Sequence, residues 1–267
     1  MNGWNKQGLA ARVGGIWDSV KTVVVALLIA LVFRTFFFQP FWIPSGSMKD
    51  TLLIGDLLFV NKMAYGYSRF SCPFDLCPFP GRILARMPKR GDVVVFRHPG
   101  SGDDYIKRLI GLPGDRVQMI HGHLFINGVP VQLQDAGNFV ETKLPQGPIG
   151  SMPRCFNAPV PRGGTCVKPR QKETLPNGVT HDILNIENDG EADNTGVYVV
   201  PKGEFFFMGD NRDNSEDSRF PQSMGGVGFV PFANLIGRAD VIALSSSGTS
   251  LLSFWDWRLN RFFKAIR

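Results

Sequence analysis

The sequence has few cysteines and histidines, and none at the spacings that bind structural zinc. Its four cysteines form no C-x-x-C pair, and its four histidines do not stand at ligand spacing to them, so we expect neither a metal nor a cofactor. Cys72 and Cys77 are close neighbours, as are Cys155 and Cys166, in segments rich in proline and glycine. This spacing favours two local disulfides in an oxidising compartment, with free buried thiols as the alternative.

Charged residues are scarce as well, at 19% of the 267 residues against 43% hydrophobic. This composition excludes an intrinsically disordered chain and allows one large or two small cores. The net charge of +6 suits either nucleic acid or an anionic lipid surface. Because the basic residues are scattered and accompany a hydrophobic anchor, we expect anionic membrane lipids as a partner and no nucleic acid.

One apolar segment near the N-terminus predicts a membrane helix. Residues 20–39 are long enough, since about 20 residues cross the hydrocarbon, and Arg34 stands near enough to the far end to snorkel outward. Bases outnumber acids before the helix, so we expect a cytoplasmic N-terminus and an exported remainder. A cleaved secretory signal is the alternative, but bulky aromatics stand where a small-x-small cleavage site would follow.

Beyond residue 42 the pattern is that of short strands, without a helical repeat or a sustained heptad. The exported part is therefore predicted to be mainly β. The predicted organisation is a cytoplasmic tail (1–19), a transmembrane helix (20–41), a first part of a β core (42–132), an inserted loop-rich β subdomain (133–196), the second part of the core (197–247) and an aromatic and basic tail (248–267). We expect the last to form a short amphipathic helix, lying in the headgroup region or packed on the domain.

Two serines directly behind the membrane segment are candidate nucleophiles. Ser45 and Ser47 flank Gly46, and Pro44 and Gly46 break regular structure, which predicts a tight loop with backbone N–H groups free to face a reacting carbonyl. A polar turn is the plain alternative. Further along, Lys107 stands in the strand pattern Y-I-K-R-L-I, and an exposed strand lysine would be its default interpretation.

Four segments in order carry a resemblance that decides between these interpretations: I-P-S-G-S-M-x-x-T-L-L-I-G-D from residue 43, R-G-D-V-V-V-F from 90, D-Y-I-K-R-L-I-G-L-P-G-D from 104 and G-D-N-R-D-N-S-x-D-S-R from 209. Behind a membrane anchor they closely resemble the bacterial type I signal peptidases. The match covers about residues 41–128 and 201–238 and thins in the insert. It implies a fold of coiled antiparallel sheets with an inserted smaller β subdomain.

The resemblance also implies a function: a Ser/Lys endopeptidase that removes signal peptides from exported preproteins, after small-x-small sites, at the outer face of the inner membrane. Ser47 matches the nucleophile and Lys107 the general base. A lysine with its ordinary pKa of about 10.4 is almost wholly protonated at neutral pH, so Lys107 must be desolvated, since burial can lower a lysine pKa by about 3 to 5 units. Ser45 matches a side-chain donor to the oxyanion, and Ser215 a hydroxyl that orients the lysine. The supporting charges match Asp210, Asp217 and Arg219.

The same mapping implies two substrate pockets. The pocket for the residue three before the cut takes Phe41, Ile43, Leu58, Val95, Asp104 and Ile106. The pocket for the residue before the cut takes Ile43, Pro44, Met48, Leu52, Tyr105 and Ile106. Narrow apolar pockets suit a small-x-small rule. Two features depart from the family pattern: Asp50 stands where many members have proline, and only one membrane helix is visible where some have two.

Three other classes of protein share part of this pattern. A catalytically inactive, membrane-tethered binding module of the same fold is disfavoured by the complete set of Ser47, Lys107 and Ser215. Self-cleaving repressors with the same dyad carry a DNA-binding module where this chain has its anchor. A penicillin-binding type of acyl enzyme needs a lysine three residues after the serine, and neither Ser45 nor Ser47 has one there.

Overall fold

The computed structural model describes residues 6–72, 75, 77–78, 80–248 and 253–267, and the side chains of the N-terminal helix from residue 17 onward. The first five residues of the expected cytoplasmic tail and residues 249–252 of the C-terminal tail lie outside these ranges. Within them the chain is one long helix followed by β structure, which confirms the predicted mainly β class with a single N-terminal apolar helix.

Helix α1 spans Lys6–Phe36, and its segment Trp17–Phe36 is long and apolar enough to cross a membrane, with nearly all of its apolar side chains exposed. The helix ends before residue 41, where the sequence predicted the end of the membrane segment. The reason is Pro40, which has no N–H to donate and biases the residue before it toward extended backbone. Residues after Phe36 therefore turn into a strand.

The strands are short and antiparallel wherever they pair in ladders. Their bounds are β1 Phe38–Trp42, β2 Asp56–Asn61, β3 Tyr67–Ser68, β4 Arg82–Ile83, β5 Val93–Arg97, β6 Asp104–Gly111, β7 Arg116–Ile120, β8 His123–Ile126, β9 Val129–Pro130, β10 Gln132–Thr142, β11 Thr165–Thr174, β12 Thr180–Leu184, β13 Tyr198–Val199, β14 Glu204–Met208, β15 Val230–Pro231, β16 Leu235–Ser245 and β17 Lys264–Ala265. Single turns of 3-10 helix lie at Lys62–Ala64, Arg69–Ser71, Arg212–Asn214, Gln222–Met224, Phe232–Asn234, Phe254–Asp256 and Leu259–Arg261.

The main sheet has the order β1-β2-β16-β5-β6-β14-β15, with β17 added to β16. Open backbone edges occur at β1 and along part of β6. Strand β1 pairs with β2 alone, and its Pro40 is tolerated because an edge strand need not donate outward. Strand β6 pairs with β5 along Asp104–Arg108, whereas β14 joins it only from Arg108 onward, so the β14-side edge of residues 104–107 is unpaired among the described strands.

The predicted insert contains a three-stranded sheet, β10-β11-β12, built on two long strands with a bulge between Asp135 and Asn138. Its disulfide Cys155–Cys166 and the disulfide Cys72–Cys77 both form, which confirms the predicted pairing. A further sheet, β13-β7-β8-β9, packs with Phe206 and Met208 of β14 in one buried cluster. The insert thus stands as a separate small sheet beside the main one.

The C-terminal tail is not the amphipathic helix that its pattern predicted. It forms two 3-10 turns and the short strand β17, which pairs with Val241 and Ile242. Arg261 is buried and donates to both carboxylate oxygens of Asp56, at 3.2 and 2.6 Å. Arg258 donates to the Ile54 carbonyl at 2.9 Å. These inward ion pairs and hydrogen bonds fix the tail on the sheet, so two of its basic residues are not available to lipid.

Candidate active site

Ser47 lies on the loop between β1 and β2, and backbone hydrogen bonds close the base of this loop. Ile43 N–H donates to Asp56 O and Gly55 N–H donates to Ile43 O, both at 2.9 Å. The tip is held from the other side by Asn211, whose N–H donates to Ser47 O at 3.0 Å and whose Nδ2 donates to Gly46 O at 2.9 Å. The loop therefore holds Ser47 in a fixed position.

Lys107 reaches this loop from β6. Its Nζ lies 2.6 Å from Ser47 Oγ, and the two side chains belong to residues that are only 4% and 7% exposed. No carboxylate in the described part of the chain forms an ion pair with this ammonium. The predicted nucleophile and base are thus brought into direct contact and shielded from water.

Burial lowers the pKa of Lys107 to about 8, and the charges of Asp217 and Glu216 act against that shift. A lysine with such a pKa has a sizeable neutral fraction near neutral pH, whereas an ordinary lysine, at about 10.4, has almost none. The Lys107 amine is therefore able to accept a proton from Ser47.

Ser45 is exposed and its Oγ lies 3.4 Å from Ser47 Oγ. The two hydroxyl groups therefore lie side by side on one loop. Pro44 is exposed beside it, and Gly46 between the serines packs near the Lys49 stem. Both serines line the same cleft.

Ser215 lies next to the Ser47 loop. A side chain at Gly209 would overlap both Ser215 Oγ and the Ser47 carbonyl oxygen, so glycine is required at that position for this approach. Ser215 is buried, and its Oγ has no hydrogen-bond partner among the described residues. The hydroxyl predicted to orient Lys107 is therefore next to the backbone of Ser47, without a hydrogen bond to the amine.

The predicted supporting charges form two buried ion pairs. Asp217 accepts from Arg219 Nε at 2.8 Å and from the Gly209 N–H at 3.0 Å. Asp210 accepts two hydrogen bonds from Arg108, both at 2.8 Å, and a third from Thr51 at 2.6 Å.

In both carboxylates burial alone would raise the pKa, but the paired guanidinium outweighs it, so the pKa lies below its usual range. Both stay ionised and anchor the segment that carries Ser215.

Ser47 and Lys107 open into a cleft of about 610 Å³. Seven of the predicted pocket residues line it: Phe41, Ile43, Pro44, Val95, Asp104, Tyr105 and Ile106. The other three, Met48, Leu52 and Leu58, are completely buried in the core cluster that contains Ile43. They support the floor of the cleft from behind instead of forming its surface. The open edge of β6 at residues 104–107 runs along this cleft.

Sequence patterns missed a second group of residues in the cleft wall. Lys49 Nζ donates to Glu141 at 2.6 Å and to Gln146 at 2.8 Å, and Lys168 binds the other oxygen of Glu141 at 2.7 Å. These contacts tie the insert to the Ser47 loop. The only signal available was the position of Lys49 two residues after Ser47, because its partners lie about a hundred residues along the chain.

Within the described ranges, no group of three or more histidine, cysteine, aspartate or glutamate side chains is arranged to hold a metal ion.

Comparison with known proteins gives consistent matches. The family model described as "Signal peptidase, peptidase S26" matches residues 16–244. A signal peptidase I of Rickettsia typhi (strain ATCC VR-144 / Wilmington) is 41% identical over 239 residues, which cover 86% of this chain and 79% of that protein. One of Rickettsia felis (strain ATCC VR-1525 / URRWXCal2) is 40% identical over 249 residues, covering 90% and 81%. A solved signal peptidase I from Enterococcus faecalis V583 aligns at 27% identity with 57% of this chain and 97% of its own, with a TM-score of 0.30.

Proposed function

Since this chain belongs to the peptidase S26 family of signal peptidases and is a serine endopeptidase, we propose that Ser47 and Lys107 carry out its cleavage of signal peptides as nucleophile and general base. The observation that carries this assignment is the 2.6 Å contact between Lys107 Nζ and Ser47 Oγ in a buried site. A catalytically inactive binding module would have no need for a lysine whose pKa burial lowers to about 8.

The first half of the reaction forms an acyl enzyme. Neutral Lys107 takes the Ser47 proton while Ser47 Oγ attacks the scissile carbonyl, and the resulting oxyanion accepts hydrogen bonds from Ser45 Oγ and the Ser47 N–H. When the C–N bond breaks, the Lys107 ammonium gives its proton to the leaving amine. In the second half Lys107 takes a proton from water, the hydroxide attacks the ester, and Ser47 Oγ recovers the proton as the signal peptide leaves.

The cleft supports the proposed cleavage rule. An extended signal peptide would add its backbone to the open edge of β6, which gives affinity without demanding particular side chains. The walls at Phe41, Ile43 and Ile106 are apolar and leave room for small side chains on alternate residues. This fits a preference for small residues at the first and third positions before the cut.

We also propose that the catalytic part is extracytoplasmic, at the outer face of the bacterial inner membrane, with α1 as a single-pass anchor and its N-terminus in the cytoplasm. The two disulfides support an oxidising compartment, and the exposed apolar side chains of Trp17–Phe36 support a bilayer around the helix. Signal-peptide-bearing preproteins would then approach along the same membrane surface.

The test is cleavage of a preprotein by the detergent-solubilised chain. We expect Ser47→Ala and Lys107→Ala each to abolish cleavage, because nucleophile and base act as one unit. Lys107→Arg should fail too, since a guanidinium does not give up its proton in this range. An exposed residue away from the cleft, Asp135, provides the control: Asp135→Asn should cleave like the native chain. Turnover at the native rate in any of the three dyad variants would remove the assignment.

A further inference from the structure

A second pocket, of about 560 Å³, adjoins the cleft just past the catalytic pair. The two share Arg154, Asn214 and Glu216 as lining, and the second pocket is also lined by Ser215. Asn214 Nδ2 would lie 3.6 Å from a Cβ at Gly46, so the shared wall begins at the loop that carries Ser47. We call this space the leaving-side pocket; its other walls come from Glu187, residues 190–192 and 212–213, Phe220 and Met224.

The position of the pocket follows from the direction of the substrate, and this step rests on the proposed function. The apolar walls of the cleft at Phe41 and Ile106 belong to the residues before the cut. A polypeptide that passes Ser47 and continues away from those walls reaches the shared wall and then the leaving-side pocket. The residues after the cut are therefore the part of the substrate that lies within its reach.

The charges in the pocket that no ion pair neutralises are negative. Arg154 is paired with Glu187, and Arg212 is paired with Glu173 outside the pocket. The two carboxylates of Glu191 and Glu216 are exposed and form no ion pair or hydrogen bond with the residues that the structure describes. A positively charged group in the pocket would thus meet carboxylates that no arginine already neutralises.

An independent observation points to a peptide as the ligand. Arg212 is 3% exposed and lines the pocket, yet its Nε and Nη1 find no acceptor in the described part of the chain. A buried guanidinium N–H without an acceptor is costly, and a small turn of the Arg212 side chain toward the pocket would bring these groups to peptide carbonyl oxygens there. The pocket therefore offers donors for a polypeptide backbone together with carboxylates for cations.

We propose that the leaving-side pocket binds the first residues of the mature polypeptide and favours basic over acidic side chains there. The pocket also suits the product. Breaking the C–N bond leaves an amine that takes one proton from Lys107, and below its pKa of about 8 the amine takes a second proton from water. The new N-terminus is then an ammonium group that forms beside Glu216.

The experiment uses the full chain in detergent and two peptides that are identical up to the cut. They differ only in carrying lysine or glutamate at the second and third positions after it. At low salt and at the plateau pH, we expect kcat/KM to be about two- to fivefold higher for the lysine peptide, a ratio that falls with added salt. Glu191→Gln and Glu216→Gln should each reduce the ratio, and the double variant should bring it near one.

Asp135→Asn is the matched control, because Asp135 is exposed and lines neither pocket, and it should keep the native ratio. A native ratio near one, or a ratio that the double variant leaves unchanged, would overturn the inference. Cleavage that persists in Ser47→Ala would instead overturn the proposed function. Cleavage that depends on Ser47 but shows no charge preference would overturn the leaving-side assignment alone.

Discussion

Two buried lysines in one cleft have the same lowered pKa and different surroundings. Burial lowers the pKa of both Lys49 and Lys107 to about 8. Lys49 Nζ lies against the Glu141 carboxylate and the Gln146 oxygen, so a proton on it is held by an ion pair. Lys107 Nζ lies against a hydroxyl and forms no ion pair in the described ranges. Only Lys107 is free to exchange its proton with Ser47.

The pH dependence of kcat/KM follows from the pKa of Lys107. Below that value Lys107 is protonated and cannot act as a base, so we expect a single limb that rises with pH and has its midpoint at about 8. Glu216→Gln should move the midpoint lower, because the Glu216 charge raises the Lys107 pKa. Initial rates with one peptide between about pH 6 and pH 10 measure both, with Asp135→Asn as the control. A midpoint near the ordinary lysine value of about 10.4 would contradict a buried base.

For single residues, the sequence predicts those features that depend on a local motif or on strand alternation. Ser45 and Ser47 stand in one loop motif, and Lys107 lies on a strand whose alternation can be read directly. The pairing of Lys49 with Glu141 depends on how the insert folds back, which no local pattern records. Met48 and Leu52 were expected in a pocket from the family resemblance, and a match of motifs does not distinguish a cleft wall from the core beneath it.

Strand β11 supports the segment that carries Ser215 through a buried ion pair. Its Glu173 is completely buried and binds Arg212, at the start of the 3-10 turn before Ser215, while His181 on β12 lies 3.2 Å away. Burial alone would raise the pKa of Glu173, but Arg212 and His181 outweigh it and bring the pKa to about 2. The insert and the catalytic segment are thus joined by a charge pair that is shielded from water.

Glu173→Gln should weaken that junction. Leaving Arg212 without its carboxylate costs about 3 to 5 kcal/mol in free energy of unfolding, because the charge stays buried and unpaired. In the native chain the contribution of Glu173 is full above the unfolded pKa of about 4.3 and is lost as pH falls toward about 2, so the variant should lose less stability on acidification. Urea unfolding at neutral and acid pH measures both effects.

Glu204→Gln, at a half-buried carboxylate on β14, is the control and should change the free energy of unfolding by less than about 0.5 kcal/mol. A Glu173→Gln chain as stable as this control at neutral pH would show that the pair does not hold the insert.

Element boundaries were the least predictable part of the fold. Phe36 to Trp42 are almost uniformly apolar, so hydropathy continues the membrane helix through them, whereas Pro40 and the ladder with β2 make residues 38–42 a strand. The aromatic and basic content of the tail predicts an amphipathic helix, either in the headgroup region or packed on the domain with its basic residues in solvent. Arg261 instead reaches Asp56 on β2, a partner at the opposite end of the exported chain.

For the whole molecule, the exposed aromatic and aliphatic side chains suggest how the catalytic part meets lipid. Phe254, Trp255, Leu259 and Phe263 are each about 70% exposed. With Arg258 and Arg261 bonded inward, we expect apolar contact to contribute more than charge to lipid binding. We therefore expect apolar side chains of the tail to contact lipid, and not a basic amphipathic helix that lies at the headgroups.

A chain that starts at Phe37 keeps β1 and should still bind anionic vesicles and cleave preprotein. In it, Trp255→Ala with Phe263→Ala should reduce vesicle binding, since each Å² of apolar surface withdrawn from water is worth about 25 cal/mol. Val129→Ala, at an exposed residue of the β9 edge, serves as the matched control. Sedimentation with vesicles at low salt is the measurement. If the shortened chain remains in the supernatant, the helix alone provides the attachment.

The junction between α1 and β1 has a consequence for which substrates are reached. Only Phe37 separates the helix from the strand, its N–H closes the last helical turn on Phe33 O, and its carbonyl accepts from Lys62 N–H at 3.0 Å. Because this junction is one residue long and both of its backbone groups are hydrogen-bonded, we expect little relative movement between the helix and the strand. In a bilayer this junction would hold the cleft at a fixed height above the hydrocarbon. The distance between the apolar segment and the cleavage site would then contribute to substrate selection. A signal peptide in which this distance is too short or too long would not place its scissile bond at Ser47, even if its side chains fit the pockets.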